Sequence, residues 1–451
     1  MTTRDPKNAV VANVASAPTP RADSPNVVPA SSPSTITANV APAPSPRAGS
    51  ASAMAAMATP NSNTDTVSAT APPSLGIAET AGPTNTTADA RAVFDAFRDP
   101  ALTRALIERI HTLAGDRPIN LMEVCGTHTV SIGRYGFRSI MPANLHLLSG
   151  PGCPVCVTAN QDIDRAIALA RVDGVIITTF GDMMRVPGST SSLAAEKAAG
   201  HDVRMVYSPL DALTIARENP GRPVIFMGVG FETTTPTIAA AILEAQARDL
   251  QNFSVLSVHK TTPPALRAIA NDPQTRIDGF ILPGHVSTIT GINPYRFLVD
   301  DFGIPGVVTG FEPVDILEGI ASLVEMIDSG LPEIRNAYRR GVNEDGNPVA
   351  RQMVEQVFDP CDATWRGLGP IPGSGLRIRP AFETFDAAKR FDVPVEPTVE
   401  PRGCRCGDVL RGRISPPECP LFGKACTPAD PVGPCMVSSE GSCAAYHRFR
   451  S

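Results

Sequence analysis

Ten cysteines punctuate this 451-residue chain, and they are unevenly spread. Cys125 and His128 share the short stretch "CGTHT", directly after the apolar run "INLMEV". A thiol and an imidazole on a Gly/Thr turn at the end of a buried strand suit a metal ligand or a nucleophile. A plain polar turn is the simpler alternative. Cys153 and Cys156 in "GPGCPVC" form a Cys-x-x-Cys pair, close enough to share a soft metal or a strained disulfide. The helical pattern that begins near Ala159 should bring backbone N–H groups to these sulfurs and favour the thiolate. Two inert buried cysteines are the alternative there.

The remaining thiols crowd the C-terminus. Cys404, Cys419, Cys426 and Cys443 follow the spacing C-x14-C-x6-C-x16-C, with Cys406 and Cys435 among them. The close C-x2-4-C knuckles usual for zinc are absent. Four thiolates reached from separate loops suit the corners of a [4Fe–4S] cluster; a structural zinc or a disulfide-linked tail are the alternatives. The residues alone leave open which four of the six would ligate. Cys361 stands apart and reads as a buried thiol without a role.

These groups need elements to position them. "INLMEVCG", "LHLLSG", "GVIITTFG", "DVRMVYS", "PVIFMGVG", "FSVLSVHK", "DGFILPG" and "GVVTGF" read as short buried strands. Between many of them lie helical patterns such as "ANQDIDRAIALARV" and "TPTIAAAILEAQARDL". Continuous apolar strands alternating with helices predict an α/β fold with parallel sheets covered on both faces. We expect two such lobes with a cleft between them: residues 89–215, carrying "CGTHT" and "GPGCPVC", and residues 216–330, carrying "GFETTTP" and "PGH". Residues 331–451 should then hold a helical segment ("PEIRNAYRRGV", "NPVARQMVEQVF") and an irregular Cys-rich domain. In open parallel sheets, ligands collect beyond the carboxyl ends of the strands. Those ends supply Cys125, His128, Cys153, Cys156, Asp182, Glu232 and His285, and their convergence marks a site.

Composition narrows the class. A formal charge of −6 with interspersed signs argues against a nucleic-acid binder. No apolar run approaches the ~18–20 residues that span a bilayer, and the N-terminus lacks the pattern of a secretory leader. A reducing cytoplasm is the expected compartment, so the clustered thiols favour metal or redox chemistry over a disulfide framework. Residues 1–88, rich in Ala, Pro, Ser and Thr, have too little bulky apolar surface to order and are expected to be disordered.

From about Phe94 to the C-terminus, the chain resembles the HypD family of hydrogenase maturation factors. The resemblance rests on "CGTHT", "GPGCPVC", "TFGDMMRVPGS", "GFETTTP", "PGH" and the tail from "CRCGDVLRG" to "GPCMVSSEG", in that order. It implies a part in assembling the Fe(CN)2(CO) moiety of [NiFe]-hydrogenases, a [4Fe–4S] cluster, a HypC-type chaperone as partner and HypE, with HypF, as cyanide donor. By the same resemblance Cys125 would hold the iron, as an exposed thiolate on its turn. Cys153 and Cys156 would be a redox-active dithiol beside it, and Thr127, His128 and Thr129 would orient groups or handle protons. Cys404, Cys419, Cys426 and Cys443 would bear the cluster. Two other classes compete: a cluster-linked disulfide reductase using Cys153/Cys156, and a zinc-stapled binding module.

Overall fold

The computed structural model describes residues 96–449; the extension expected to be disordered, residues 1–88, lies outside them. Eleven strands occur among the described residues: β1 (Ile119–Glu123), β2 (Leu145–Ser149), β3 (Ile176–Thr179), β4 (Asp202–Met205), β5 (Val224–Gly228), β6 (Phe253–Ser257), β7 (Gly279–Leu282), β8 (Gly306–Val308), β9 (Ile334–Asn336), β10 (Phe358–Trp365) and β11 (Gly369–Ile378). The first nine build two parallel sheets, ordered β2-β1-β7-β8-β9 and β4-β3-β5-β6, while β10 and β11 pair as an antiparallel hairpin. All eight apolar runs are strands, and the fold is α/β with helix-covered parallel sheets.

The central strands β3, β5 and β7 are buried on both faces, which is why they read as unbroken apolar runs. In the five-stranded sheet, Leu121, Ile281 and Val307 meet Leu106 and Ile110 of the Pro100–Leu113 helix and Leu317 and Ile320 of the Pro313–Ser329 helix. Their neighbours Met122, Phe280 and Val308 point the other way, onto Leu266, Tyr295 and Leu298. In the four-stranded sheet, Ile176, Phe226 and Phe253 pack on Ile238 and Ile242, whereas Ile177, Ile225 and Leu256 pack on Ile163 and Ile167. Helix starts are written locally. Asp99 caps the Pro100–Leu113 helix by accepting from Ala101 N–H and Leu102 N–H, and Ser208 with Asp211 forms a capping box at Pro209–Glu218.

Two expectations are corrected. The sheets do not divide at residues 215 and 216. The chain lays down β1 and β2, crosses to build β3–β6, then returns with β7–β9, so residues 216–330 serve both sheets. The return is fixed by pairing: Leu121, Met122 and Glu123 of β1 align with Gly279, Phe280 and Ile281 of β7. The segment "PEIRNAYRRGV", expected to be helical, instead contributes β9, an edge strand that pairs with β8 from Ile334 to Asn336. The β10–β11 hairpin lay unrecognised in Pro/Gly-rich sequence; it is irregular between Cys361 and Ala363 and buries Phe358, Trp365, Ile371 and Ile378.

Candidate functional site

The strand order of the five-stranded sheet reverses between β1 and β7, and such a switch point opens a crevice at the strands' carboxyl ends. Cys125 stands there as the N-cap of the Gly126–Arg134 helix, and Gly284 and His285 leave β7 beside it. Glu123 locks the turn. Its carboxylate accepts from Cys125 N–H at 3.1 Å and from the Thr129 hydroxyl at 2.5 Å. Burial holds the Glu123 carboxyl up at about 7, against the hydrogen bonds that would lower it.

The thiol itself is not the exposed thiolate expected from sequence. Cys125 is 7% exposed, and burial, reinforced by the nearby Glu440 charge, pushes its thiol up to about 12. The helix N–H groups of Thr127 and His128 pull the other way and lose to desolvation. His128 faces away from solvent: its Nε2 lies 2.9 Å from the Gly310 carbonyl and 2.8 Å from the Thr309 hydroxyl. Its ring packs 4.7 Å from Phe311, and burial lowers its pKa to about 4. The imidazole is therefore neutral at pH 7 and ties the Cys125 helix to the end of β8.

The dithiol loop lies directly on this turn. Gly126 N–H donates to Gly152 O at 2.9 Å, and Gly150 N–H to Glu123 O at 2.7 Å. A Cβ on Gly152 would fall 2.3 Å from Cys125 N, so only glycine permits the two backbones to meet. Cys153 follows immediately, capping the short Pro154–Val157 helix with its Sγ accepting from Cys156 N–H at 3.4 Å. Both thiols are free and buried. Burial, then the neighbouring Cys153 sulfur, drives the Cys156 thiol well up, against the pull of the Cys435 thiol. Phe231 from the end of β5, Val286 from the helix after β7 and Trp365 of the hairpin pack with the pair, joining both sheets at the dithiol.

All six tail thiols line one cavity, whose other walls are Leu421, Phe422, Gly433 and Met436. Cys404 and Cys406 sulfurs approach to 3.1 Å. Cys435 touches Cys406 and Cys443 and also reaches Cys156, linking the dithiol to the tail. The donor set fits a [4Fe–4S] cluster: only sulfur and apolar groups face the cavity, and a cubane takes its thiolates one per iron from separated positions. Among the described residues no three His, Cys, Asp or Glu side chains gather about a single ion position.

Other candidates separate. Asp182 is exposed on the turn after β3. Glu232 accepts from Thr262 N–H at 2.7 Å and is held at about 7 by burial, a tie between the segments that follow the neighbouring strands β5 and β6 rather than a member of the thiol cluster. His285 is exposed, 4.0 Å from Phe311, and feels the Glu440 charge. Two residues went unmarked in the sequence. Glu123 was hidden inside an apolar run, where an acidic residue ending a buried strand was the available signal. Glu440, in "SSEG", accepts from the Thr127 hydroxyl at 2.9 Å and covers Gly126 so closely that a Cβ there would meet its backbone oxygen at 2.6 Å.

A family model described as "HypD: Hydrogenase formation hypA family" matches residues 101–450. Hydrogenase maturation factor HypD of Rhodobacter capsulatus is 49% identical over 364 residues, covering 78% of this chain and 97% of that protein. The factor of the same name from Escherichia coli (strain K12) is 45% identical over 366 residues, covering 79% and 97%. A putative hydrogenase expression/formation protein of Methanocaldococcus jannaschii is 42% identical over 355 residues, covering 78% and 99%.

Proposed function

The chain belongs to the HypD family of hydrogenase maturation factors, and we propose that in this role Cys125 holds the iron on which the Fe(CN)2(CO) moiety is built. The iron is cargo. It is shared with a cysteine of a HypC-type chaperone, and its cyanide comes from HypE working with HypF. The observation that carries this reading is the contact of the "GPGCPVC" backbone with the Cys125 turn, together with the reach of Cys435 to Cys156. Iron holder, dithiol and cysteine cavity thus follow one another in space.

The chain's own groups define what loading requires. A thiol held near 12 binds metal only by releasing its proton, so iron uptake and deprotonation of Cys125 are one event. Glu123, held at about 7 and hydrogen-bonded to the Cys125 backbone, is the nearby carboxyl able to carry a proton at neutral pH. One thiolate from this chain and one from the chaperone leave positions on low-spin Fe(II) open for diatomic ligands and let the finished group depart. Cys404, Cys419, Cys426 and Cys443 would hold the [4Fe–4S] cluster, which when bound supplies electrons one at a time. Cys153 and Cys156 are the redox-active pair nearest the iron.

Protein purified anaerobically with its HypC-type partner should show cyanide and carbon monoxide infrared bands, and about four irons and four sulfides from the tail cluster. Cys125→Ala should lose the infrared bands and hydrogenase maturation while keeping the cluster absorbance. Maturation by that variant would refute the iron-holding role. Stoichiometric zinc without sulfide would undo the cluster assignment alone.

A further inference from the structure

A cavity of about 200 Å3 lies between the turn that joins β10 to β11, the start of the Asn160–Ala170 helix and the tail segment at Thr398 and Glu400. No cysteine lines it, and it shares no wall with the thiol cavity. Its volume far exceeds the ~10–15 Å3 that a single water needs. Arg366, on the turn, is only 3% exposed. Its Nε donates to Glu400 at 3.2 Å and one terminal nitrogen to Pro187 O at 3.3 Å, while the other terminal nitrogen, also buried, has no partner among the described residues. Glu400 is 58% exposed at the side chain and so largely solvated. A buried guanidinium left in this way is costly unless an anion faces it.

A second buried group lines the same cavity. Asn160 is 1% exposed, and its amide nitrogen donates to Val399 O at 2.7 Å. That bond fixes the orientation of the amide and leaves Oδ1 as an acceptor with no donor among the described residues. Asn160 also begins a helix of 11 residues whose N-cap, Ala159, has no side chain to accept from the first N–H groups. Such a helix start favours an anion. Guanidinium, helix start and lone acceptor therefore share one cavity. An anion that satisfies all three must still carry a proton to donate.

We infer that this cavity is a binding site for inorganic phosphate, with Arg366 donating to an anionic oxygen and Asn160 Oδ1 accepting from the ion's remaining O–H. At neutral pH free phosphate keeps at least one O–H, whereas sulfate keeps none and a phosphate monoester has largely lost its own. Glu400 weakens the site from the solvent side, since it draws on the same guanidinium. Bound phosphate spans the helix start and the hairpin turn, which already meet where Arg366 N–H donates to Val157 O at 2.8 Å. Nothing in the site depends on the iron or on the cluster.

The test is isothermal titration calorimetry of full-length protein, kept anaerobic in phosphate-free buffer, with inorganic phosphate, sulfate and methyl phosphate as separate titrants. Phosphate should bind saturably at one site. Sulfate and methyl phosphate should bind at least about tenfold more weakly, because each leaves the Asn160 acceptor unpaired. R366Q should weaken phosphate binding at least about tenfold through the loss of a charged hydrogen bond. E400Q should tighten it, and this exposed position decides the matter if R366Q fails to fold. Absence of saturable phosphate binding would mean that water alone fills the cavity and would overturn the site. Equal affinities for phosphate and either analogue would overturn the role of Asn160. A phosphate affinity unmoved in R366Q, or in E400Q alone, would overturn that of Arg366.

Discussion

At the scale of single residues, the contest at Cys125 is between desolvation and the helix terminus, and desolvation prevails. The carboxylate of Glu440 adds to the cost of ionising the thiol. Glu440→Gln removes that charge while keeping an acceptor for Thr127, so the metal-free thiol should become more acidic. The pH of half-maximal alkylation of Cys125 should therefore move down; an unchanged profile would show that Glu440 acts only as a cover. The cysteines and histidines of this site were visible in the sequence because their types are rare and their spacing chemical. Glu123 and Glu440 were not, because a carboxylate gains its meaning from the groups the fold brings to it. Thr127 and Glu440 are joined only by the fold.

At the scale of elements, the central runs β3, β5 and β7 announced strands because burial on both faces leaves no polar alternation to confuse them. The hairpin was illegible for the opposite reason. Its strands carry Pro360, Pro370, Gly373 and Gly375, and they are fastened to each other by a side-chain bond, the Trp365 indole N–H of β10 donating to the Ser374 hydroxyl of β11 at 2.8 Å. Gly152 is the element-level test of the site. Its replacement by alanine forces the dithiol loop off the Cys125 turn and should cost roughly 1–3 kcal/mol in stability. Gly152→Ala should also depress maturation beyond what its unfolding midpoint explains. Wild-type stability and activity in that variant would show that the loop and turn do not need their contact.

Across the whole molecule, four buried groups make stability depend on pH in opposing senses. His128 and His259 have folded pKa values lowered by burial, to about 4 and about 3. The unfolded chain binds their protons more readily, so their contribution is full above about pH 6.5 and is lost on acidification. Glu123 and Glu232 are raised to about 7. Their folded forms keep protons that the unfolded chain has released, so their contribution is full below about pH 4.3 and is lost as pH rises towards 7. Between about pH 4.5 and 6.5 the two effects oppose each other. Glu232→Gln removes one descending limb, and its stability relative to wild type should climb from pH 5 to 7 by at most about 1.4 kcal/mol per pH unit. A difference independent of pH would mean that Glu232 ionises in the folded protein as it does in water. The membership of strands in sheets was the part of this architecture least legible beforehand. Strand order depends on which partners meet in space, and nothing local to β1 names β7.

That crossing has a consequence for synthesis. The ribosome delivers β1 and β2 first, yet β1 acquires its second neighbour only when β7 emerges, after every strand of the other sheet. The nascent chain must carry a two-stranded apolar fragment with one open edge throughout that interval, exposed to wrong partners. The turn that bears Cys125 receives Glu440 last of all. A chain still on the ribosome therefore carries an unfinished Cys125 turn, which is completed only when the C-terminal segment has been made.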